Sequence, residues 1–130
     1  MSRAARLHLG QDRAFAELIA RVGPCRLRPA TDRSPYEALV RAIAHQQLHG
    51  RAAEAILARL SAAFPAGRFP EPEQIMAADD AVLRVCGFSG SKIAAIRDIC
   101  AHAIAGTVPT RRAAARLSDA ALIERLTVIR

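Results

Sequence analysis

The apolar residues of this 130-residue chain recur at intervals of three and four in one stretch after another. Between the stretches lie residues that cap or break helices. Phe15, Leu18, Ile19 and Val22 follow the i, i+3, i+4, i+7 pattern and predict an amphipathic helix over 12–21, with Asp12 at its positive end and Gly23-Pro24 as its stop. Ser34-Pro35-Tyr36-Glu37 reads as a capping box with Pro at the first helical position, Ser34 accepting a free N–H and Glu37 reaching back. The stripe Tyr36, Leu39, Val40, Ile43 follows, and Gln46-Gln47-Leu48-His49-Gly50 interrupts it, which predicts a break or sharp bend. Ala52, Ala53, Ile56, Leu57, Leu60 and Phe64 carry the next helix, stopped by Pro65-Ala66-Gly67. A short helix is expected at 71–76, and another from Asp79-Asp80 through Val82, Leu83 and Val85 to Gly87. Ile93, Ile96, Cys100, Ala103 and Ile104 mark a long helix ending at Gly106 and Pro109. Ser118 caps a last one with Leu122, Ile123, Leu126 and Ile129 on one face. No segment sustains the alternation of a strand, so the fold class is all-α.

Composition sharpens this. The chain has 29 alanines, no Trp and 4% aromatic residues, so much of its apolar count is helix propensity rather than core volume, and a β-sandwich or barrel is disfavoured. Eighteen arginines and one lysine, Lys92, against twelve acidic residues give a net charge of +7. That balance favours a polyanion as partner, nucleic acid first, although a GC-biased genome also enriches Arg and Ala. Cys25, Cys86 and Cys100 form no CxxC pair, which fits reduced thiols and a cytoplasmic location. The four scattered histidines make no zinc spacing, so neither metal nor cofactor is expected, and no apolar run is long enough for a membrane span.

Two interhelical corners could carry chemistry. In the first, Gln46, Gln47 and His49 can donate and accept, and so can read base edges or phosphates, while Leu48 or Gln47 is long enough to wedge into a base stack. A polar helix break with one core leucine accounts for the same residues. In the second, Gly87-Phe88-Ser89-Gly90-Ser91-Lys92, Ser89 or Ser91 caps the following helix, whose exposed N–H groups favour an anion. Lys92 in that first turn opposes the helix dipole unless an anion answers it; a capped loop with a solvated lysine is the plainer reading. Asp79-Asp80 reads as a cap. No nucleophile elbow, phosphate loop or carboxylate pair is present.

The segments 39–53, 83–92 and 117–130, in this order and spacing, resemble the DNA-3-methyladenine glycosylase II family of the helix-hairpin-helix DNA glycosylases, and the likeness extends over nearly everything from Asp12 onward. The resemblance implies a multi-helix bundle of that type. It implies hydrolysis of the N-glycosyl bond of alkylated bases in double-stranded DNA after base flipping. By the same resemblance Gln47 or Leu48 fills the gap, His49 and Ser89 meet the minor groove or backbone, and Lys92 meets the phosphates; Gln46 is a further DNA-binding candidate.

In the family a Gly-rich hairpin, an aromatic pocket and a catalytic Asp follow the third segment. None has a counterpart here, so the resemblance covers a front half that stops before the hairpin, and no catalytic residue is assigned. The expected organisation is an arm and helix over 1–33, which would pack on that absent half, and a helical core module over 34–130. The unpartnered 12–21 stripe would then pair with a second copy of the chain or a rearranged helix. Two other readings fit the sequence, a non-catalytic DNA-binding module and a helical interaction domain.

Overall fold

The computed structural model describes residues 3–26, 28 and 30–129. Among these, every regular element is helical. The chain forms α1 (Arg3–Leu9), α2 (Arg13–Val22), α3 (Pro35–His45), α4 (Gly50–Ala62), a 3₁₀ turn (Pro65–Gly67), α5 (Pro72–Ala77), α6 (Asp80–Cys86), α7 (Gly90–Ile104), α8 (Arg111–Ala114) and α9 (Asp119–Leu126). It divides into two compact units, Met1–Thr31 and Asp32–Arg130. In the first unit Asp12 caps α2 by accepting from the Phe15 N–H at 3.1 Å. Phe15, Leu18 and Val22 stay exposed on that helix, and Ile19 is half-buried. The helix α1 has no counterpart in the sequence expectations.

The second unit holds the core. Ser34 caps α3 as expected, accepting from the Glu37 N–H at 3.1 Å. Glu37 does not close the box. Its carboxylate accepts instead from Arg41 Nε at 2.8 Å, one turn on, where a charged partner outbids a backbone N–H. The reciprocal reach occurs at α5, where Gln74 accepts from the Glu71 N–H at 2.9 Å.

From α3, Tyr36, Val40 and Ala44 are buried, with Leu39 and Ile43 packed partly against them. They meet Ile56, Leu57 and Leu60 of α4, Ile75 of α5, Leu83 and Cys86 of α6, and Ile93, Ile96, Ile99 and Cys100 of α7. Tyr36 ends in a hydrogen bond to the Pro70 carbonyl at 3.1 Å, and its ring meets Phe69 edge-on. Three stripes are rotated from expectation. On α6 the inward pair is Leu83 and Cys86, and Val85 is 82% exposed. On α7 Ile99 takes the place foreseen for Ile104, which is exposed. On α9 Ile123 faces out, while Ile129 packs on the core from beyond the helix end.

One guanidinium joins three helices. Arg97 of α7 donates to the carbonyls of Ile75 (3.1 Å), Met76 (3.2 Å) and Ala78 (2.8 Å), and pairs with Asp80 through Nε at 2.9 Å. It thus satisfies the carbonyls at the end of α5 and holds the start of α6.

Candidate nucleic-acid interface

The two corners singled out in the sequence come together. The first links α3 to α4. Gln46, Gln47, Leu48, His49 and Gly50 are all exposed, with Leu48 at 40% as a lone apolar side chain among polar ones. Leu48 is therefore not a core leucine. His49 caps α4, its Nδ1 accepting from the Arg51 N–H at 3.4 Å. Gln47 has φ +55, the sole positive φ at a non-glycine among the described residues. Such a conformation costs about 1–2 kcal/mol, so something outside the residue must hold it.

The second corner links α6 to α7. Gly87 lies at φ +108. Its N–H donates to Arg84 O at 2.9 Å, and the Phe88 N–H donates to Leu83 O at 3.2 Å, the two bonds of a Schellman ending. Phe88 is 3% exposed and sits in the core with Leu83, so it anchors the loop from below. Arg59 of α4 braces it from the side, donating to Cys86 O at 2.7 Å. Ser89 accepts from the Lys92 N–H at 3.4 Å and caps α7, while its hydroxyl lies 3.1 Å from that of Ser91. Ser89, Gly90 and Ser91 are exposed.

Lys92 ties the corners together. Its Nζ donates to Ala44 O and to Gln46 O, both at 2.9 Å. This resolves the tension noted in the sequence. A cation in the first turn of α7 opposes that helix's dipole, but here it sits on the C-terminal carbonyls of α3, where a cation is favoured. The resemblance implies a phosphate contact for Lys92; two of the three donors of its ammonium are taken by these carbonyls. Behind the first corner, Glu54 of α4 lies 3.0 Å from His45 Nε2 and 3.4 Å from Arg41 Nη1, a second strut between α3 and α4.

Sequence reasoning missed three parts of this arrangement. Left-handed positions are usually flagged by Gly or Asn, and Gln47 is neither. Phe88 looked like loop because only its backbone pattern places it under the corner. The partner of Lys92 lies 46 residues away along the chain, beyond any local signal. A lone lysine among arginines at a helix start was the one available hint.

The aspartates lie elsewhere in the bundle. Asp12 and Asp79 cap helices, Asp80 pairs with Arg97, Asp98 lies 3.8 Å from His102, and Asp32 and Asp119 are exposed. Burial pushes the Cys86 and Cys100 thiols up from their ordinary value, so neither is a ready nucleophile. Among the described residues no three His, Cys, Asp or Glu side chains gather to hold a metal, and no helix is long and apolar enough to cross a membrane.

The family model described as HhH-GPD superfamily base excision DNA repair protein matches residues 40–128, which include both corners. DNA-3-methyladenine glycosylase 1 of Schizosaccharomyces pombe is 44% identical over 128 residues, covering 97% of this chain and 56% of that protein. The alkylbase DNA glycosidase-like protein mag2 of the same yeast is 33% identical over 128 residues, covering 60% of its length. The structure is similar to that of the yeast 3-methyladenine DNA glycosylase Mag1 in complex with abasic DNA, with a TM-score of 0.82 at 43% identity over 97% of this chain and 62% of that one. It is also similar to a DNA-3-methyladenine glycosidase from Bacillus halodurans, with a TM-score of 0.73 at 29% identity over 99% and 58%. The chain thus spans somewhat over half the length of these relatives. It belongs to the HhH-GPD superfamily of base excision DNA repair proteins.

Proposed function

We propose that this chain is the duplex-probing part of a DNA glycosylase that removes alkylated bases of the 3-methyladenine type. The flipped base leaves a gap in the stack, and Gln47 or Leu48 fills it, while Gln46, His49 and Ser89 meet the groove and backbone beside it. The observation that carries this reading is the pairing of two exposed corners, one bearing an apolar tip at Leu48 and one bearing the capped N-terminus of the fifteen-residue α7, on a chain of net charge +7. A helix N-terminus welcomes phosphate, and a rigid tip beside it can enter a weakened stack. The names of its relatives supply the lesion class. Bond hydrolysis is not assigned to any of these residues.

The test is fluorescence anisotropy of the 130-residue chain on a duplex with one abasic site and on the same duplex intact, with chromatography of any free base released from alkylated DNA. Tighter binding to the abasic duplex is expected, with the logarithm of affinity falling by about 0.9 per phosphate contact per decade of salt. No free base is expected. Equal and salt-independent binding would refute the DNA reading and leave a helical interaction module. Base release would show that these residues hydrolyse the bond after all.

A further inference from the structure

The backbone at 45–48 takes a form that its residues do not favour. Gln46 lies at φ −56, ψ 127, Gln47 at φ +55, and the Leu48 N–H donates to His45 O at 3.3 Å. These are the features of a type II β-turn with Gln46 and Gln47 at its centre. Type II calls for Gly or Asn at the third position. A Gln-Gln pair favours type I, where the third residue keeps an ordinary negative φ. The two forms differ chiefly in a flip of the single peptide unit that joins the central residues. Here that unit is the peptide between Gln46 and Gln47, and its carbonyl is Gln46 O.

Lys92 grips that carbonyl. Its Nζ donates to Gln46 O at 2.9 Å while a second bond to Ala44 O, also 2.9 Å, fixes the ammonium against the end of α3. In a type I turn Gln46 O would face the other way and this acceptor would be lost. The lysine stem rises from the first turn of α7, which is seated by the Ser89 cap and by buried Phe88 beneath. We propose that Lys92 is a positioning residue that locks the Gln46–Gln47 peptide in its flipped orientation, and so sets the direction in which the Gln47 side chain leaves the backbone toward DNA. The second corner thereby dictates the geometry of the first. The proposal deepens the DNA reading and rests on it for its consequence in binding. The peptide lock itself does not depend on DNA.

The test is NMR of the Gln47 backbone in the 130-residue chain, through its amide–α proton coupling and α-carbon shift, together with the anisotropy assay on abasic and intact duplexes. In Lys92→Met, which keeps the stem and removes the donors, Gln47 is expected to move to negative φ. The preference for the abasic duplex is expected to fall about tenfold, the scale of the left-handed penalty no longer offset. Adding Gln47→Gly to Lys92→Met is expected to return residue 47 to positive φ, because glycine favours the type II form unaided. Positive φ retained at Gln47 in Lys92→Met would overturn the proposal. A flipped turn with undiminished preference for the abasic duplex would uphold the lock and overturn the DNA reading of this corner. Should Lys92→Met fail to fold, recovery of a folded chain by Gln47→Gly supports the lock, and a double variant that still fails to fold overturns it.

Discussion

Gly87 carries two requirements at once. Its φ of +108 is a region that L side chains rarely adopt, and a Cβ there would lie 2.9 Å from Arg59 Nη2 and 3.1 Å from Ile56 Cγ1. Arg59 could swing aside only by releasing the Cys86 carbonyl, and Ile56 is held in the core. Gly87→Ala is therefore expected to destabilise the chain by about 2 kcal/mol. Urea unfolding checks this, and a midpoint equal to that of the parent would contradict the account. Lys92 shows the opposite case, a residue whose type was noticed and whose partner was not. Its sequence neighbours point to an anion, whereas its acceptors are carbonyls contributed by another helix.

Among the elements, the short α5 depends most on a neighbour. Six residues are too few for a helix to stand by itself, and its last carbonyls are satisfied by Arg97 from α7. Arg97→Met leaves these acceptors and Asp80 without the guanidinium. A loss of about 2 kcal/mol is expected, on the scale of charged hydrogen bonds. Hydrogen exchange should show faster opening of α5 and the start of α6, with α4 little changed; uniform acceleration along the chain would contradict this.

Helix positions and caps were legible because they are local. Ser34 and Ser118 cap as their spacing foretold, Ser89 rather than Ser91 caps α7, and Asp12, expected at the positive end of its helix, caps α2. Which side of a helix faces inward was less legible where helices are short. On α6 two turns carry Val82, Leu83, Val85 and Cys86, and only packing against α4 and α7 selects Leu83 and Cys86. Both corners could be located from polar residues between apolar stripes. Their union through Lys92 and the left-handed Gln47 could not, since each depends on contacts distant along the chain.

The molecule as a whole keeps its buried acids neutral. Burial raises Cys86 and Cys100 above the ordinary thiol value near 9.0, and raises Tyr36 above the ordinary phenol value near 10.0. A group with a raised pKa in the folded state contributes nothing pH-dependent while both states are protonated. As pH climbs past the ordinary value, the unfolded chain ionises and the folded one resists, so stability falls. The unfolding midpoint is accordingly expected to be flat in this respect up to about pH 9 and to drop above it. A midpoint unchanged from pH 8 to about pH 11, followed by circular dichroism, would contradict the burial of these groups.

The claim on which everything else turns is that the paired corners face nucleic acid. A charge reversal that leaves the fold intact tests it most directly. Aspartate is as good a helix cap as serine and suits the N-terminal dipole, so Ser89→Asp should fold normally while placing a negative charge where phosphate is expected. Ser34→Asp makes the same change in cap and net charge at the far end of α3, about 16 Å from the corner along an eleven-residue helix. Affinity for the abasic duplex is measured for both variants at one salt concentration. The account predicts that Ser89→Asp weakens binding about tenfold and Ser34→Asp by about twofold or less. Equal loss from the two would mean that only net charge matters and that the corners do not meet DNA.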